Sequence, residues 1–123
     1  MLDARTTTSP KTRTERIAEL NDRARQGLDR TARTIFTIGL LDELSDGSRA
    51  SDILAQARIM KAMRECNFGE DSPERDMAWF EADGIRMMMK IDYFDADFEW
   101  GSEDPASAAE TRRVITIMRP EDY

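Results

Sequence analysis

The pair Asp83-Gly84 constrains this chain more than any other feature. It stands between two strand-like runs, Met77-Ala78-Trp79-Phe80-Glu81-Ala82 and Ile85-Arg86-Met87-Met88-Met89-Lys90-Ile91-Asp92-Tyr93. Asp-Gly in that setting favours a two-residue type I′ turn, whose twist matches that of the strands it joins. The turn then fixes the register: Phe80 opposite Met87, Ala78 opposite Met89, Glu81 opposite Arg86. An apolar pair and an ion pair fall on opposite faces, as cross-strand pairing prefers. Phe80, Met87, Met89, Ile91 and Tyr93 make a core face, and Met77, Trp79 and Met88 sit on the reverse beside charged residues.

Other elements follow from spacing. Thr12 and Glu15 form a capping-box pattern, and Ile17, Leu20, Ala24 and Leu28 recur on one face, predicting a helix from about Arg13 to Leu28. Thr34-Ile35-Phe36-Thr37-Ile38 is β-branched and aromatic and stops at Gly39, which predicts a strand. After the breaker Asp46-Gly47-Ser48, Ile53, Ala57, Met60 and Met63 predict a second helix to about Cys66 with that stripe inward. Asp104-Pro105 opens a short helical turn through Ala109. Arg113 to Arg119, apolar on both sides through Val114, Ile115, Ile117 and Met118, reads as a strand in the middle of a sheet. The expected fold is α+β, a mostly antiparallel four-stranded sheet with helices packed on one face, in the order α-β-α-β-β-β. Residues 1–11, rich in Thr and Ser, are expected to be a flexible tail, and 12–123 a single domain; 123 residues suit one core.

Several function classes drop out. The chain has no histidine, which removes Ser-His-Asp and Cys-His catalysis, the usual zinc sites and the commonest general base. Cys66, the single cysteine, has no imidazole to activate it and is expected to be a buried or half-buried thiol. No apolar run approaches the roughly 20 residues of a membrane span, and no secretory signal is visible at the N-terminus. A cytoplasmic, non-enzymatic protein without cofactor is the expectation.

Charge is unevenly spread. Residues 1–66 hold 12 basic and 10 acidic side chains, net +2; residues 67–123 hold 6 and 15, net −9, which together give the overall −7. The acid is densest in Asp92-Tyr93-Phe94-Asp95-Ala96-Asp97-Phe98-Glu99-Trp100, where four carboxylates interleave with four aromatics. Asp95-x-Asp97-x-Glu99 has the spacing of the first calcium-loop ligands, but Trp100 occupies the turn-glycine position and Ala106 the place of the bidentate Glu. The segment therefore reads as a solvated acidic loop or as a docking surface for a basic partner, with Asp92, Asp95, Asp97, Glu99, Trp100 and Trp79 as contacts. Two rival readings stand beside it. Arg16, Arg23 and Arg30 recur at heptad intervals and suit phosphate contact, or a mixed, salt-laced helix face. Asp92, Asp95 and Asp97 suit a carboxylate-based, metal-assisted enzyme.

Four segments carry a family resemblance: Arg16-Ile17-Ala18-Glu19-Leu20-Asn21-Asp22, Lys90-Ile91-Asp92-Tyr93-Phe94-Asp95, Ser102-Glu103-Asp104-Pro105 and Thr111-Arg112-Arg113-Val114-Ile115-Thr116-Ile117-Met118. They resemble a family of small alphaproteobacterial proteins, a domain of unknown function often carried on plasmids and other mobile elements. Members of that family tend to carry a histidine before the Asp and aromatic residues of the first hairpin strand, where this chain reads Glu74-Arg75-Asp76. The resemblance implies context rather than mechanism, namely an inhibitor of a CRISPR or restriction defence; joined to the uneven charge, it gives the expectation of a small acidic module that binds a host complex with a basic nucleic-acid-binding surface, and a homodimer is also allowed for.

Overall fold

The computed structural model describes residues 10–123. The expected tail, 1–11, lies outside the described residues except for Pro10 and Lys11, and Lys11 pairs with Glu19. Helix α1 (Arg13–Arg25) starts with the expected capping box. Thr12 Oγ1 accepts from the Glu15 N–H at 3.1 Å, and Glu15 Oε1 accepts from the Thr12 N–H at 2.9 Å. It ends before Leu28, because Gly27, at φ 78°, closes a Schellman motif. The Gly27 N–H donates to Ala24 O and the Leu28 N–H to Arg23 O. Leu28 is consequently exposed, while Ile17, Leu20 and Ala24 are buried.

Strand β1 (Arg33–Phe36) is shorter than expected, and Ile38 opens a helix, α2 (Ile38–Leu44), that strand composition concealed. Leu40, Leu41 and Leu44, at helical spacing, turn into the core. Gly39 does not end a strand; it lies in the first turn of α2, where a Cβ would run into the Arg119 guanidinium. Helix α3 (Arg49–Arg64) is capped by Ser48 Oγ, which accepts from the Ser51 N–H. Its inward face is Ala55, Ile59 and Met63 rather than the expected Ile53, Ala57, Met60 and Met63; Ile53 and Ala57 are exposed. This helix offers two adjacent apolar faces, and the one through Ala55, Ile59 and Met63 is fully buried.

The hairpin of β2 (Met77–Ala82) and β3 (Ile85–Phe94) has the expected register, including Phe80 opposite Met87 and Glu81 opposite Arg86. Asp83 and Gly84 both take positive φ, 53° and 76°, as a type I′ turn requires. From α3, Arg58 Nε donates to Asp83 Oδ2 at 2.6 Å. Strand β4 (Arg112–Met118) lies between β1 and β3, in the sheet interior.

The sheet, ordered β1-β4-β3-β2, is mixed rather than mostly antiparallel: β1 runs parallel to β4. The two edges, β1 and β2, point the same way, because α2 and α3 carry the chain between them as a helical crossover and parallel strands need such a connection. The element order gains α2 and a closing 3₁₀ turn, Pro120–Asp122. No helix forms over residues 105–109. One turn closes from the Ser107 N–H to Asp104 O, but Thr111 Oγ1 also donates to that carbonyl and the chain leaves into β4.

One hydrophobic cluster joins the helices to one sheet face, through Ala24, Leu40, Ile59, Met63, Met87, Met89, Ile91, Ile115 and Ile117. Half-buried Cys66 packs against it, and burial pushes its thiol pKa up. On the other face Trp79, Met88 and Met118 form a row across three strands, with Met88 and Met118 buried and Trp79 exposed. Among the described residues no helix is long and apolar enough to cross a membrane.

Candidate functional site

The turn after β3 is built by its own residues. Asp95 Oδ1 accepts from the N–H groups of Asp97 and Glu99, at 3.2 and 3.0 Å. The Asp95 N–H donates to Trp100 O, and the Phe98 N–H to Asp95 O. Phe98 sits in the left-handed region at φ 58°, which costs a side-chain-bearing residue on the order of 1 kcal/mol and persists where the surroundings impose it. Here the constraint is visible: the Arg33 guanidinium of β1 stacks 3.7 Å from the Phe98 ring centroid. A bridge from Phe94 to Gly101 closes the base.

This frame presents Trp100, 74% exposed, at the rim of a depression of about 280 Å³ that Asp95, Glu103 and Glu110 also line. Asp97 and Glu99 are exposed on the same turn. Three carboxylates thus share the depression with the indole, and two more stand on the turn that carries it. Glu110 went unnoticed in the sequence because it lies at the far end of the loop that returns to β4. That loop is anchored by Thr111 Oγ1 donating to Asp104 O at 2.8 Å and by a 2.7 Å contact between the Ser102 and Thr111 hydroxyls.

The remaining candidates lie elsewhere. Asp92 is on the sheet face away from the helices, its Oδ2 3.1 Å from Lys90 Nζ. Trp79 shares that face opposite Met88, four residues along β3 from Asp92 and so roughly 13 Å away at the usual rise per residue, with Arg86 over its ring at 4.6 Å. Of the carboxylates in the metal-enzyme reading, Asp95 is occupied by its own turn and Asp92 by Lys90. Among the described residues no three His, Cys, Asp or Glu side chains converge as metal ligands would. Arg16 pairs with Glu19 at 3.0 Å, whereas Arg23 and Arg30 face a common cleft with Arg112. Arg30 lies beyond the end of α1, so the heptad stripe is not continuous on the helix.

Beneath α1 is a polar cluster that sequence reasoning missed. Arg113, 1% exposed, donates through Nε to Asn21 Oδ1 at 2.6 Å and through Nη2 to Pro105 O at 2.5 Å, and lies 5.1 Å from the Tyr93 ring centroid. Asn21 Nδ2 donates to Glu74 O and to the Tyr93 hydroxyl, which donates in turn to Glu74 Oε1. Burial lowers the Arg113 pKa and raises that of Tyr93, and the charges of Asp76 and Glu74 push the phenol further up. The four resemblance segments meet here, through Asn21, Tyr93, Pro105 and Arg113. Next to the cluster Arg75, at φ 56°, reaches Asp22 with Nε and Nη2, at 2.9 and 2.6 Å.

These features define a small α+β protein with a mixed four-stranded sheet, helices on one face, and an acidic turn locked against the sheet edge. The chain belongs to the family described as protein of unknown function (DUF3768), whose model matches residues 14–122. No curated protein and no solved structure matches it.

Proposed function

We propose that this protein acts by binding, and that the turn Asp95–Trp100 docks on a cationic protein surface with Trp100 as its anchor. The observation that carries the reading is the indole itself: a tryptophan 74% exposed on a hydrogen-bonded turn, beside a depression lined by Asp95, Glu103 and Glu110. Tryptophan is enriched among residues that dominate binding energy. A turn already ordered by Asp95 and Arg33 loses little freedom on association, and the surrounding acid steers encounter with a basic partner. In its finer form the reading is mimicry. The partner's surface is one that otherwise holds nucleic acid, and the protein is an inhibitor of a host CRISPR or restriction complex; the net −9 of residues 67–123 supports this form.

The test is capture of the tagged protein's partner from bacterial lysate containing an active defence system, with and without nuclease. A stoichiometric, nuclease-resistant protein that is lost with Trp100→Ala and with the pair Asp97→Asn, Glu99→Gln is expected. A partner indifferent to those changes, or only nuclease-sensitive ones, would overturn the reading.

A further inference from the structure

We propose that the cleft between the end of α1 and the start of β4 binds a phosphomonoester. The cleft has a volume of about 380 Å³ and is lined by Arg23, Arg30 and Arg112 together with Leu20, Leu28 and Asp29. That volume lies within the range of small-ligand pockets.

Three arginines without a carboxylate partner line it together. Arg13, Arg16, Arg25, Arg58, Arg75 and Arg119 each pair with a carboxylate. Among the described residues Arg23, Arg30 and Arg112 have no such pair. Arg23 and Arg112 reach only neutral carbonyls: Arg23 Nη2 donates to Leu28 O, and Arg112 Nη1 to Ala109 O and Thr111 O. The single carboxylate, Asp29, is spent on its own turn, its Oδ1 accepting from the Thr31 N–H at 2.9 Å and from Thr31 Oγ1 at 2.7 Å. Three guanidinium groups against one carboxylate leave a net +2 in a concavity of a protein whose overall charge is −7.

Uncompensated guanidinium groups lining one cleft repel one another and are stabilised by an anion from outside. Their planar donor forks match phosphate oxygens in pairs. A phosphomonoester carries about −1.5 to −2 at pH 7 and balances the cleft, which a single carboxylate does not. Leu20 and Leu28 give the organic part of the ligand an apolar wall. The acidic turn takes no part in this site.

Calorimetric titration at low salt tests the proposal with four probes: a nucleoside 5′-monophosphate, the same nucleoside without phosphate, and one oligonucleotide with and without a 5′-phosphate. The monophosphate is expected to bind saturably and the nucleoside not at all. Arg23→Ala and Arg30→Ala, both on the surface, are each expected to weaken binding by about tenfold or more, with unchanged melting. Binding of the 5′-phosphorylated oligonucleotide alone would also support the cleft and identify its ligand as a strand end. The proposal is overturned if no phosphorylated probe binds, if the unphosphorylated oligonucleotide binds as tightly as the phosphorylated one, or if neither arginine variant changes the affinity.

Discussion

Arg113 Nε donates to Asn21 Oδ1 at 2.6 Å, joining the interior strand of the sheet to the helix above it. Among the described residues Arg113 has no carboxylate partner, so neutral acceptors and the Tyr93 ring carry the buried charge. The geometry must therefore be complete. Removing one member leaves the others buried and unsatisfied, which costs more than the bond itself contributes. Asn21→Ala is expected to destabilise the fold by about 2–4 kcal/mol, read as a fall in denaturation midpoint at constant m-value. A change below about 0.5 kcal/mol would show that the cluster is incidental.

Tyr93 gives an alkaline signature. Its folded-state pKa is raised, first by burial and then by Asp76 and Glu74, against the Asn21 hydrogen bond. The associated stability is thus fully present below the unfolded value of about 10 and is lost as pH rises toward the folded value. In a Tyr123→Phe variant, where Tyr93 is the remaining tyrosine, phenolate absorbance should appear only well above pH 10 in the folded protein. Ionisation near pH 10 would count against the burial of this hydroxyl.

Asp22 gives the acid counterpart. Burial alone would raise its pKa, but hydrogen bonds from Arg75 and Arg25 outweigh that and hold it below the usual range. A depressed folded pKa contributes stability that is present above the unfolded value of about 3.9 and is lost as pH falls through the lower folded value. Asp22→Asn should lower stability at neutral pH and flatten its decline in acid. Equal acid slopes for variant and parent would remove Asp22 from the account.

Gly84→Ala tests the hairpin. Space is free at the Cβ position, so the cost is conformational, from a side chain at φ 76°. A loss of about 1 kcal/mol is expected in equilibrium unfolding. No loss would mean that the turn can change type without disturbing the register.

Trp100→Ala separates folding from recognition. An indole 74% exposed contributes little to the core, so melting should stay within about 0.5 kcal/mol of the parent while partner capture is lost. A marked fall in stability would reassign Trp100 to packing.

Much of this fold was legible where local chemistry decides it. The Thr12–Glu15 capping box, the Asp83-Gly84 hairpin with its register, and the interior position of the Val114–Met118 strand all follow from neighbours in the chain. Helix α2 was hidden because the strand-like run Thr34 to Ile38 leads straight into it, and Leu40, Leu41 and Leu44 find their place only against the core. The inward face of α3 was ambiguous because both of its faces are apolar. Trp100, Asp97 and Glu99 were found on their turn by composition alone. Trp79 was grouped with them on character, yet the length of β3 keeps it apart.

The sequence by itself determined the turns, the caps and the alternation of the strands, because those depend on backbone preferences within a few residues. Tertiary structure alone decided that β1 runs parallel to β4, that Asn21, Tyr93 and Arg113 share one buried cluster, and that Arg23, Arg30 and Arg112 meet around one cleft. Each of these joins residues far apart in the chain. Their encounter is set by how the α2–α3 crossover and the returning β4 close the sheet, a balance of packing and desolvation that no local pattern encodes.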